Sequence, residues 1–224
     1  MTTSADAIRY TRMAVLLHWA IALMIGCNLT LGWFMEGFAP PLKGVVLPLH
    51  ISCGLSVLAL SVVRIVWRLL HVPPPAPVGR LEQGAAHIVH FLLYAGMVVL
   101  PLTGWAILSA HPAPGSQGFA AEQARMAAQA GPAVHRLRPK PGITAWWVIP
   151  VPAIGLVQAV GDTPGGLPAQ KRLHDSFVDW HEAGGWAMIA LLALHIAGAL
   201  KHQWVDRQPF LQRMSWQRMS WRRR

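Results

Sequence analysis

The sequence predicts an all-α integral membrane protein: a four-helix bundle with one long extramembrane loop between helices 3 and 4. Three observations carry this. Hydrophobic residues make up 54% of the 224 and charged residues only 12%, where an ordinary soluble domain is roughly a quarter charged. Four stretches, Met13 to Phe34, Val45 to Val63, Ala86 to Ala110 and Ala183 to Leu200, contain no Lys, Arg, Asp or Glu, and each is close to the ~20 apolar residues of a bilayer crossing. The 19 basic residues, against 9 acidic, lie between these runs rather than clustering as on a nucleic-acid-binding surface, so no nucleic-acid partner is expected. The apolar content excludes disorder, and two cysteines exclude a disulfide-stapled secreted domain. The length suits a single domain over residues 1–224.

The elements follow in order. The first helix, about 13–34, is too long for a signal-peptide core and has no small-x-small cleavage site before Trp33 and Phe34, so it is expected to be retained. The second runs over about 45–67. The connection Val72 to Val78, VPPPAPV, cannot propagate a helix and reads as a stiff turn. The third covers about 86–110 and opens the loop 111–179. Within that loop, Ala110 to Arg138 is rich in Ala, Gln, Gly and Pro, and reads as partly helical or mobile. Ile143 to Gly161 is uncharged, but Pro150 and Pro152 interrupt it. Its Trp146–Trp147 pair suits a membrane–water boundary, so it reads as a surface segment. The last helix, about 180–202, leads into a basic tail, 203–224.

Four spans place Arg9 and Arg12, then Arg64, Arg68 and Arg80, and then the tail from Lys201 to Arg224 on one side. Only Lys43 lies in the short loop opposite. The long loop exceeds the roughly 60 residues over which positive charge sets orientation. Both termini are therefore expected in the cytoplasm, with the long loop in the periplasm of a bacterium and the protein in its inner membrane.

Ionisable residues inside spans are costly and usually face the interior for a functional reason. His18 lies about a turn and a half into the first helix from the cytoplasmic side, and His50 as far into the second from the other side. His181 and His195 stand at opposite ends of the last helix, 14 residues apart. They fall within ~40° of one face and ~21 Å apart along the axis. Each depth thus has two imidazoles, His18 with His195 and His50 with His181. Two imidazoles on facing helices can hold a haem iron from both sides. A metal-ion transporter would normally add acids or cysteine at that depth, and the spans hold no acid. Two stacked haems would make an electron path.

The segments LLHWAIAL (16–23), PLHISCGLSVLALSVVRIVWRL (48–69), AAHIVHFLLYAGMVVLPLTGW (85–105) and VDWHEAGGWAMIALLALHIAGALKH (178–202) resemble the bacterial cytochrome b561 family, four-helix di-haem cytochromes linked to quinone. The resemblance covers all four spans. It implies two haem b groups with His18, His50, His181 and His195 as axial ligands to the iron, and ubiquinone as electron partner. The same fold serves as the membrane subunit of hydrogenases and formate dehydrogenases.

Other residues carry open readings. His87 and His90 lie near His18 in depth. Either could take the place of His195 as ligand, hydrogen-bond a propionate or line a quinone pocket. Arg64, with Arg68 and Arg9, is placed to meet haem carboxylates, or simply supplies positive-inside charge. His202 is a candidate for quinone contact or proton uptake, or an interfacial anchor. Glu182, adjacent to His181, could carry a proton or hydrogen-bond to a ligand ring, or is a partly exposed acid at a helix start. No redox role is expected of Cys27 or Cys53. Gly54, Gly184 and Gly185 could let a backbone or porphyrin approach closely, or are ordinary helix-packing residues.

The expected function is single-electron transfer between a periplasmic donor and membrane quinone. In the resembled family one activity oxidises superoxide outside and reduces ubiquinone, which would make the chain a superoxide:quinone oxidoreductase. Lys171, Arg172 and His174 could supply a basic mouth for that anion. Against it, Val178 and Asp179 stand where shorter family members tend to be basic, and the loop is longer. Both features leave room for a redox protein as donor. The rival reading is a haem-binding anchor that links a periplasmic oxidoreductase to the quinone pool.

Overall fold

The structure, a computed structural model, describes residues 10–71, 78–130, 144–207 and 214. The expected turn over 72–77, Arg9, part of the loop and nearly all of the basic tail lie outside the described residues.

Among the described residues, four helices are long and apolar enough to cross a membrane. Helix α1 spans Arg12–Phe34, and its N-cap Thr11 accepts a bond from the Ala14 N–H at 3.3 Å. Helix α2 spans Pro40–Leu70. Pro40 and Pro41 open it where a missing N–H costs nothing. Pro48 lies inside it, and Ser52 Oγ donates to the Pro48 carbonyl at 2.7 Å. Helix α3 spans Arg80–Ser109 with Pro101 inside. After the short helix α4, Gln117–Ala130, come β1 (Thr144–Ala145), β2 (Ile149–Pro150) and α5 (Gly155–Gln158). Helix α6 runs Leu167–Leu200 and ends in a π turn, Lys201–Val205. Each spanning helix after α1 begins ahead of its uncharged run. A helix continues into the aqueous boundary on backbone bonding alone, whereas hydropathy marks only its lipid-embedded part. Residues 167–179, expected in the loop, therefore belong to α6.

Helix α1 packs on α2, α2 on α3, and α3 on α6. The two pairs that carry facing histidines, α1 with α6 and α2 with α6, stand apart backbone to backbone. At mid-depth Ile21, Ile25, Val57, Leu93, Met97 and Met188 make an apolar cluster drawn from all four helices. Gly96 lets α3 and α6 close there, since a Cβ on it would lie 2.5 Å from Met188 Cε. Outward-pointing Leu23, Val62, Phe91, Val99 and Leu194 remain exposed, as residues facing lipid do.

Residues 144–161 form no regular spanning helix, in accord with the expectation for this segment. They fold back on α2 and α3. β1 and β2 pair antiparallel about a turn in which Trp146 and Trp147 take φ of 52° and 59°. Asn–Gly normally fills such a turn. Here it is pinned: the Trp146 N–H donates to Ser52 Oγ at 2.6 Å, and its indole N–H to Ser56 Oγ at 3.1 Å. Trp105 Nε1 donates to the Pro152 carbonyl at 2.8 Å, and the Ile154 N–H to Ser109 Oγ at 2.9 Å.

Candidate cofactor-binding site

The structure brings together both expected histidine pairs. His50 on α2 faces His181 on α6, with ring centres 6.1 Å apart and planes at 74°. His18 on α1 faces His195 on α6 at 6.2 Å and 65°. A metal bound to two opposed imidazoles at about 2 Å from each nitrogen would set the ring centres about 6 Å apart. Both pairs fit that spacing, across gaps where the helix backbones stand apart.

Hydrogen bonds select the tautomer at one end. His50 Nδ1 lies 3.1 Å from the Asn28 carbonyl on α1. His181 Nδ1 lies 3.1 Å from the Leu100 carbonyl and 3.0 Å from Thr103 Oγ1 on α3, while the Thr103 hydroxyl donates to Leu100 at 2.8 Å. A carbonyl oxygen can only accept, so Nδ1 carries the hydrogen in both rings and each Nε2 keeps its lone pair. This is the arrangement in which a second ring nitrogen orients a metal-ligating histidine.

Glycine makes these bonds possible. A Cβ on Gly32 would lie 3.2 Å from His50 Cε1, and one on Gly104 would lie 3.1 Å from His181 Cε1. Gly32 follows Asn28 by four residues and Gly104 follows Leu100 by four, one turn along the same face. Each ring thus sits in a notch made of a carbonyl and the glycine one turn later. Sequence reasoning singled out Gly54 and Gly184–Gly185 and missed this pair. Gly54, Gly96 and Gly185 line, with Gly32 and Gly104, a cleft of about 590 Å³ that also exposes His50, His181 and apolar side chains, within the size range of cofactor sites. Asn28 Oδ1, buried on its wall, has no hydrogen-bond partner among the described residues. An apolar cleft with two opposed imidazoles and glycine-lined walls fits a flat macrocycle with a central metal.

The other end carries a third ring. His90 on α3 touches His195 edge to face at 5.2 Å. Arg64 lies within electrostatic reach of His18, His90 and His195. Its Nε donates to Tyr94 Oη at 3.0 Å and its Nη1 to the Ala14 carbonyl at 3.0 Å. Two of its five N–H donors are used in this way, and Arg68 stands 5.9 Å over the Tyr94 ring. His87 points outward and is exposed. His202 is 2.6 Å from Asp206, and Lys201 bridges Asp206 and Glu82 at 2.9 and 2.5 Å, tying α3 to the end of α6. Bonds from Lys201 and then His202 hold the Asp206 carboxyl below its ordinary range. Glu182 is exposed at the cleft, and Cys27 and Cys53 are free thiols.

Residues 9–216 match the family described as prokaryotic cytochrome b561. The chain is 30% identical over 109 residues to the probable superoxide oxidase CybB of Yersinia pestis, spanning 45% of this chain and 58% of that protein. It thus covers little more than half the length of that relative. It is 23% identical over 218 residues to cytochrome b561 homolog 2 of Escherichia coli strain K12, with 92% and 90% of the two chains aligned. To cytochrome b562 of Cereibacter sphaeroides it is 34% identical over 133 residues, spanning 54% of this chain and 77% of that one. A bundle of four apolar helices with opposed histidines inside it, and a family match over most of its length, make one conclusion: the chain belongs to the prokaryotic cytochrome b561 family, and is a bacterial membrane cytochrome of the b type that serves electron transfer.

Proposed function

We propose that the chain binds two haem b groups, one between His50 and His181 and one between His18 and His195. In this reading it carries single electrons across the inner membrane between a periplasmic donor and ubiquinone, with both termini in the cytoplasm. The observation that carries it is the pair of imidazole gaps, 6.1 and 6.2 Å, between helices whose backbones stand apart. Haem, when bound, supplies the one-electron chemistry. The chain's own residues supply position and field. The Asn28 and Leu100 carbonyls hold the rings of His50 and His181 in one tautomer. The cluster around Met188 keeps water and polar groups from the middle of the bundle. Arg64 sets a fixed positive charge beside His18 and His195, which favours the reduced state at that end and offers its remaining donors to a carboxylate.

The test is haem b per chain, measured by pyridine haemochrome on protein purified in detergent. Two are expected in the parent and one in each of His50→Ala and His195→Ala, with different spectral bands lost. A parent with one haem, or with none, sinks the relay. His90→Ala is expected to retain both haems and to shift only the midpoint potential at the His18 end. Loss of a haem in that variant would make His90, and not His195, the partner of His18.

For the donor, superoxide has the support of the relative named a probable superoxide oxidase. The basic mouth it would use is muted here, because Lys171 and His174 are both engaged by Asp175, at 2.6 and 3.3 Å. The folded loop over 144–166, held to α2 and α3, favours a protein donor docking on that face, in keeping with the anchor reading. Reduction of ubiquinone by superoxide with the purified chain alone supports the free-standing enzyme. Turnover only with a co-purifying oxidoreductase supports the anchor.

A further inference from the structure

Helix α6 carries its histidines at a repeating interval. His174, His181, His195 and His202 are separated by seven, fourteen and seven residues, with Met188 at the intervening position. Seven residues are about two turns, so each step returns to within ~20° of the same face and advances ~10.5 Å. His181 and His195 belong to the two pairs already described. His174, one step beyond His181, has a partner of its own. Its ring centre lies 5.8 Å from that of His111, in the segment that follows α3, with the planes at 48°. This spacing is close to those of the inner pairs.

A second observation concerns the ring nitrogens. His174 Nδ1 lies 3.3 Å from Asp175 Oδ1, and Lys171 Nζ holds the other carboxylate oxygen at 2.6 Å. An ionised carboxylate only accepts, so Nδ1 donates and Nε2 keeps its lone pair. Carboxylate–histidine pairs of this kind orient ligands at metal sites. His111 is exposed and His174 half-buried, so the pair opens to water, unlike the enclosed inner pairs. Lys171 is held by Asp175, which takes its charge away from the open side of the pair.

We propose that His111 and His174 form a binding site for a hydrated first-row transition-metal cation, Cu²⁺ foremost and Zn²⁺ next, at the His50–His181 mouth of the bundle. Two imidazole nitrogens suit these metals among the divalent cations, and water completes the coordination. The site differs from the Glu82, His202 and Asp206 group at the opposite end, whose ligand atoms lie within 4.8 Å of one another. There Lys201 already bridges the two carboxylates.

The experiment titrates Cu²⁺ alone into the purified, cofactor-loaded chain and follows the Cu²⁺ electron paramagnetic resonance spectrum. One equivalent with hyperfine coupling to two nitrogens is expected. His111→Ala and His174→Ala should each weaken binding at least about tenfold, and Asp175→Asn by about tenfold. The haem absorption spectrum should be unchanged in all three, which shows that the bundle remains folded. His202→Ala should leave the signal intact, and Zn²⁺ should compete for it. Copper that binds without nitrogen coupling, that binds equally to the parent and both histidine variants, or that is lost in His202→Ala would overturn the proposal.

Discussion

Gly104→Leu is expected to strip haem from the His50–His181 end while leaving the His18–His195 end loaded. Even a single Cβ at position 104 would stand 3.1 Å from His181 Cε1, tighter than ordinary van der Waals contact. Alanine asks the ring to move by a few tenths of an ångström, which stretches its 3.1 Å bond to the Leu100 carbonyl. Gly104→Ala should therefore keep its haem, with affinity lowered about 10- to 100-fold as for lost ligand-orienting bonds. Leucine adds a branched side chain where the imidazole must lie and leaves His181 no path to the carbonyl. One haem per chain, in place of two, is the expected haemochrome result, with electron transfer across the membrane reduced to background. Gly32→Leu should behave alike through His50, because the same notch is repeated on α1. Normal haem content in both leucine variants would show that the notches do not position the ligands.

Gly118→Val is expected to do the converse, releasing the long loop without touching the cofactors. The Gly118 N–H donates to the Asp162 carbonyl at 2.8 Å, and a Cβ at 118 would collide with the Gly161 carbonyl. Gly161 is itself closed in by Gln170 of α6, which is 3% exposed and donates to the Gln158 carbonyl at 3.1 Å. Asp162 Oδ1 accepts from the Ala113 N–H at 2.8 Å. The start of α4, the turn at 159–166 and the start of α6 therefore form one stack with no room to yield. Overpacking of this kind costs about 1–3 kcal/mol, enough to speed proteolysis of the loop by about 10- to 100-fold where cleavage follows local opening. Limited proteolysis reads the release, and haemochrome should still find the parent's haem content. If the donor docks on this loop, reduction by the donor falls while reduction by dithionite is unchanged. Unaltered proteolysis would mean that the stack does not hold the loop.

How much of this was legible beforehand follows from the physics of each signal. Hydropathy located the four spans because lipid selects against charge over a fixed length, and that selection is local in sequence. The interval between His181 and His195 placed both rings on one face of α6, since helical periodicity is also local. Pro150 and Pro152 marked 144–161 as non-spanning for the same reason. The π turn at Lys201–Val205 and the early start of α6 were not legible, because backbone bonding beyond the bilayer leaves no hydropathy signal. Nor was the contact between His90 and His195, which depends on how α3 rotates against α6.

The sequence by itself determined the four apolar helices, the shared face of His181 and His195 on the last of them, and the family resemblance that the match over residues 9–216 bears out. The tertiary structure alone decided which carbonyl each ring meets, that Gly32 and Gly104 rather than other glycines open the way to it, and that His111 meets His174. Those facts depend on the lateral packing and axial rotation of helices far apart in the chain. Periodicity fixes which residues share a face of one helix, but it leaves open which face of the next helix lies opposite.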